Sequence, residues 1–121
     1  MKKKIMFDGF PQIVVLCGST RFRDEFTEAT RRETMAGRIV VAPGVFAHSG
    51  DPLTSDDKCR LDELHLRKID LADEVYIINP GRYIGKSTAS EIDYARRAGK
   101  QIVYMVPVRA AWQGSTESEE D

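Results

Sequence analysis

Glu91 stands in Thr88-Ala89-Ser90-Glu91, about one turn into a segment of helical spacing. Two readings of it compete. Thr88 followed three residues later by Glu91 fits a capping box, in which the carboxylate reaches back to the first turn. The same carboxylate shares a face with Ala95 and Ala98, so it leans toward the interior, and a helix N-terminus keeps such a group ionised. An ionised, partly shielded carboxylate is what attack on the anomeric carbon of a sugar requires. His65 lies on the apolar side of an earlier helical segment, where it is either a satisfied core residue or a proton carrier. His48 and Asp51 sit in a long loop, where His48 either contacts a ligand or is solvated.

Two glycine-bearing corners can hold an anion. Gly18-Ser19-Thr20-Arg21 falls where an apolar run gives way to a helical one, so backbone N–H groups, hydroxyls and Arg21 converge on one corner. An ordinary helix cap with a solvated arginine accounts equally for that spacing. Gly81 and Gly85 before Lys86-Ser87-Thr88 suggest an NTPase phosphate loop, but three residues separate the glycines where that motif needs four. The NTPase class is excluded, whereas a backbone cradle for phosphate or sugar around Gly85 and Ser87 is not. Cys17 and Cys59 have neither metal-ligand spacing nor a disulfide framework, and Cys17 reads as a small buried hydrophobe.

The elements that position these residues alternate. The apolar run at 13–17 is a doubly covered central strand. Ser19 and Thr20 then cap a helix reaching Ala36, with Phe22, Phe26, Ala29 and Met35 or Ala36 inward and Gly37 as its stop. Strands are expected at 39–42, 74–78 and 101–106, and helices at 55–72 and from Ser87 or Thr88 to Gly99. The second helix presents Leu61, Leu64, His65, Ile69 and Ala72 on one face, and the third buries Ile92, Ala95 and Ala98. The 43–54 loop exceeds the usual connection of ~2–6 residues, which marks it as functional. This pattern predicts one Rossmann-like α/β domain over 1–110, a four- to five-stranded parallel sheet of order about 2-1-3-4 flanked by helices. Its ligand crevice falls between the first and third strands. Residues 111–121 read as a disordered acidic tail.

The 121 residues carry 18 basic and 19 acidic side chains, and Glu117, Glu119, Glu120 and Asp121 hold four of the acids. Without them the balance is 18 against 15, which suits a small anionic ligand and not duplex nucleic acid. No apolar run approaches the ~20 residues that cross a bilayer. Asp8 and Gly9 end the apolar start at once, so no secretory signal is expected and the chain reads as cytoplasmic.

With these residues in view, the chain resembles the nucleoside 2-deoxyribosyltransferase-like superfamily, which includes 2′-deoxynucleoside 5′-monophosphate N-glycosidases. The resemblance runs from about Ile13 to Val106. It rests on Leu16-Cys17-Gly18-Ser19, on Ala72-Asp73 with the strand after it, and on Gly85 to Lys100, including Glu91-Ile92, Ala95 and Gly99-Lys100. It implies that Glu91 attacks the anomeric carbon and that Gly18, Ser19 and Arg21 form the phosphate- or sugar-binding loop. Three positions depart from the family pattern: Val15 replaces a Tyr, His65 an Asp, and Gly85 an Asp or Ser.

The resulting expectation is cleavage of the N-glycosidic bond of a nucleoside or nucleoside 5′-monophosphate, by hydrolysis or transfer, without metal or organic cofactor. His65 would protonate or orient the departing base, and Gly18, Ser19, Arg21, Gly85, Ser87 and His48 would hold the substrate. The alternative is a non-catalytic nucleotide-binding sensor with the same fold. Neither a duplex nucleic acid nor a membrane is an expected partner. Exposed sheet edges and the resemblance imply a homodimer or larger homo-oligomer, with Phe46 and His48 of the long loop completing a neighbour's pocket.

Overall fold

The computed structural model describes residues 8–46 and 52–108; His48, Asp51 and the acidic tail lie outside them. Four parallel strands form one sheet: β1 (Ile13–Gly18), β2 (Ile39–Val41), β3 (Glu74–Ile78) and β4 (Gln101–Tyr104). Their order is β2-β1-β3-β4, as expected from the alternation of elements. Gly18 pairs with Ile78, so the two central strands end level with each other. Three helices, α1 (Arg23–Met35), α2 (Ser55–Leu71) and α3 (Lys86–Arg97), complete the α/β domain.

Strand alternation sorts the core onto two faces. Val14 and Leu16 of β1 pack with Phe26 and Ala29 of α1. Val15 and Cys17 point the other way, into a cluster with Ile69 of α2 and Ile92 and Ala95 of α3. Successive strand residues face opposite sides of a sheet, so one residue of register decides which helix a side chain meets. The expected helix faces are too wide: Met35 is 76% and Leu64 49% exposed. Ala36 and Ala98 are exposed too.

Two helix starts differ from the expectation. Ser19 and Thr20 do not cap α1, whose N-cap is Phe22 without a side-chain bond. Ser19 instead closes a turn, its carbonyl accepting from the Phe22 N–H at 3.1 Å. The capping box expected at Thr88 and Glu91 does not form, because α3 starts earlier, with Gly85 as N-cap and Thr88 buried in its first turn. A reciprocal box forms at α2 instead, where Thr54 and Asp57 exchange bonds of 3.0 and 3.1 Å.

β4 stops two residues short of its expected end because a side chain takes over from the ladder. Fully buried Asn79, just beyond β3, donates to the Val106 carbonyl at 2.9 Å and accepts the Val106 N–H at 2.8 Å. Truncating Asn79 strands both groups. Asn79→Ala is expected to lower the unfolding free energy by about 2–4 kcal/mol in denaturant titration. A loss below ~1 kcal/mol would mean that this clasp contributes little.

The sheet is tied to the helices at α2's C-terminal end. Lys100 Nζ donates to the carbonyls of Asp70 (3.0 Å) and Ala72 (2.8 Å), which α2 itself leaves unpaired. The Asp70 carboxylate accepts from Arg67 (3.0 Å) and from the Tyr94 hydroxyl of α3 (2.7 Å). Asp73 lies beyond the helix and accepts the Ile13 N–H at 2.8 Å, fastening the start of β1.

Candidate active site

The third turn of α2 and the second turn of α3 face the same end of β1. His65 lies one helical turn before core residue Ile69, and Glu91 one turn before core residue Ala95. That spacing puts both side chains over the Cys17 face of β1. Cys17 Sγ lies 3.2 Å from His65 Nε2. His65 Nε2 is 3.9 Å from Glu91 Oε1. All three donor atoms fall within 4.8 Å of one another.

A cavity of about 430 Å³ opens beside them. Gly18 at the end of β1 and Thr20 after it, Lys58, Asp62, His65 and Lys68 on α2, and Ser87 and Glu91 on α3 form its polar wall, while Leu53, Leu61 and Leu64 supply an apolar rim. It lies beyond the carboxyl end of β1, beside Pro43, Gly44 and Val45 of the loop after β2, and not between β1 and β3 as expected. Open α/β sheets bind ligands at this edge, and the cavity's size suits a small organic ligand. Gly18 is needed for the backbone approach: a Cβ there would stand 2.6 Å from the Ile78 carbonyl oxygen.

Other expected binding residues lie elsewhere. Ser19 is 2% exposed, and its hydroxyl accepts the Arg21 N–H at 3.3 Å. The Arg21 guanidinium lies over the Tyr83 ring, 4.7 Å from its centre. Gly85 is buried at the N-cap of α3, its carbonyl accepting from Ala89. Among the described residues, the cavity wall includes none of these three. The Phe46 ring packs edge-on against Phe26, with centres 5.5 Å apart. His48 falls outside the described residues.

Electrostatics also move the favoured anion site. The first turn of α1 carries Asp24 and Glu25, which oppose an anion there. The first turn of α3 has no acid, and its N-cap makes no side-chain bond. Ser87 places this turn in the cavity wall, so the α3 corner is the better anion cradle.

Burial, reinforced by nearby Lys68, lowers the His65 pKa from 6.5 to about 4. The imidazole is therefore neutral near pH 7, not the ready acid expected from its unperturbed value. Cys17 is fully buried, and burial followed by the Glu91 carboxylate raises its thiol well above the ordinary value. Cys17 is buried as its apolar run predicts, whereas its contact with His65 joins residues 48 positions apart and is a product of the fold. The usable signal was parity, since Cys17 shares the face of Val15. Val15 itself is wholly buried.

No protein-family model matches this chain, and no curated protein does. Among solved structures, a 2-desoxiribosyltransferase from Leishmania mexicana is similar, with a TM-score of 0.53 and 19% identity over 78% of this chain and 63% of that one. The chain thus spans less than two thirds of that protein's length. Among the described residues, no helix is long and apolar enough to cross a membrane. The four-stranded parallel sheet of order β2-β1-β3-β4 with its three crossover helices thus has the fold of that 2-desoxiribosyltransferase structure.

Proposed function

We propose that this protein cleaves the N-glycosidic bond of a nucleoside or nucleoside 5′-monophosphate, with Glu91 as nucleophile. The observation that carries this reading is the Glu91 carboxylate itself. Its side chain is only 16% exposed, yet it lines the cavity, 3.9 Å from the His65 ring. A carboxylate oxygen attacks C1′ while the C1′–N bond breaks and its electron pair leaves with the base. Water then releases the sugar from the glycosyl ester, or a second base accepts it. Neutral His65 steadies the leaving base through a ring nitrogen, and solvent supplies the proton that the base takes up. The α3 first turn, with Ser87 and Thr20, receives the 5′-phosphate or the sugar hydroxyls.

Incubation with ribo- and deoxyribonucleosides and their 5′-monophosphates, with and without an acceptor base, tests this directly. Free base or an exchanged nucleoside is the expected product by chromatography. An absolute requirement for the acceptor identifies a transferase. The neutral state of His65, together with Val15 and Gly85 at family positions, favours as second reading a nucleotide sensor without turnover. That reading expects a ligand-induced rise in Tm with no free base.

The protein is also read as a homodimer or larger homo-oligomer. Ile39 on the edge strand β2 and Leu53 and Leu64 at the cavity rim are exposed apolar side chains. Light scattering is expected to give at least twice the 13.6 kDa chain mass. A monomer mass would remove this part of the reading.

A further inference from the structure

We propose that Cys17, His65 and Glu91 form a binding site for a thiophilic divalent cation, Zn²⁺ foremost. Each comes from a different regular element, β1, α2 and α3, so the trio is held by the core and not by a loop. Tetrahedral zinc, with bonds of ~2.3 Å to sulfur and ~2.0–2.2 Å to nitrogen or oxygen, sets its donors roughly 3.3–3.6 Å apart. The separations here are 3.2 Å for sulfur to nitrogen and 3.9 Å for nitrogen to oxygen, with the third pair within 4.8 Å. The widest of these separations must shorten by about 1 Å for all three donors to reach bonding geometry around one ion. A thiolate, an imidazole and one carboxylate favour zinc-like ions over Mg²⁺ or Ca²⁺, which take oxygen donors.

Three protein ligands leave a fourth position, and His65 and Glu91 both border the cavity, so a water or ligand atom can fill it from that side. His65, held neutral, already has the protonation state a metal requires. Cys17 does not: its S–H proton must pass to solvent as the sulfur–metal bond forms, so binding releases one proton. The cation site stands whether or not Glu91 is a nucleophile. If it is, a bound ion occupies the attacking carboxylate and inhibits.

The test uses full-length protein stripped with a chelator and then titrated with Co²⁺ or Zn²⁺ alone. Wild type is expected to bind one ion per chain, and its Co²⁺ form to show the near-ultraviolet charge-transfer band of a thiolate ligand. Cys59→Ala, which removes the exposed cysteine, should behave as wild type. Cys17→Ala should lose the band and bind Zn²⁺ at least ~10-fold more weakly, since even outer partners of a ligand contribute 10–100-fold. His65→Gln gives a second variant should Cys17→Ala fail to fold, and it should weaken Zn²⁺ similarly. A wild type without the band, or a band lost with Cys59 instead of Cys17, overturns the proposal. A Cys17-dependent band in a protein that releases no base upholds the cation site while sinking the glycosidic reading. Base release without any band does the reverse.

Discussion

Glu91→Gln is expected to abolish base release, lowering kcat by at least ~10³-fold, while nucleotide binding persists. The amide keeps the shape of the side chain but is a poor nucleophile, so the loss falls on the bond-making step and not on the cavity wall. Glu91 lies in the second turn of α3, beyond the Gly85 N-cap that starts the helix, and Gln keeps the helical backbone there. The variant should therefore melt near wild type and keep a ligand-induced rise in Tm. Turnover within tenfold of wild type would transfer the nucleophile to another group or to water. Loss of both turnover and ligand-induced stabilisation would mean that the carboxylate binds substrate and would weaken the case for covalent attack.

Acid should destabilise the protein through His65, with the effect developing as pH falls from about 6.5 to about 4. In that window the unfolded chain binds a proton on His65 and the folded chain does not. The unfolded state thus gains as pH drops, and stability rises with pH. The stabilisation is complete above the unfolded value and is lost as pH approaches the folded value. A displacement of this size corresponds to about 3 kcal/mol. Denaturant titrations at pH 7 and pH 4.5, with chelator present, should differ by most of that amount beyond the carboxylate background. His65→Gln removes the titrating group, so its stability should change less between the two pH values. An equal change in variant and wild type would show that His65 is not held neutral. The same depression places no His65 limb near pH 6.5 in the pH–rate profile.

The strands, and the edge of the sheet at which the cavity opens, were legible because apolar runs and their breakers are local features of the sequence. Continuous apolar runs bounded by Gly, Pro and Asn give β3 its bounds of Glu74–Ile78 as expected, and helical spacing sets α2 to within one residue. Alternating elements dictate a parallel sheet with crossover helices, and the 2-1-3-4 order is the expected one. The cavity opens at the carboxyl edge of that sheet, beside β1 and the loop after β2. Within that crevice the sequence brought forward Gly18, His65, Ser87 and Glu91, all of which line the cavity.

Tertiary packing decided the rest. Ser19 has the composition of a cap or a phosphate ligand, yet its hydroxyl is committed to the Arg21 N–H and its side chain is buried. Thr88 reads as an N-cap, but the buried side of α3 extends to it and draws the helix start back to Lys86. Asn79 reads as a strand breaker; only the neighbouring strand reveals that it clasps Val106. The charge state of His65 depends on how thoroughly other elements remove it from water, a quantity that spacing along one helix does not contain. Cys17, His65 and Glu91 meet because β1 turns its odd-numbered residues toward the two helices. Strand parity was already present in the sequence, but which helices cover that face is a property of the folded chain.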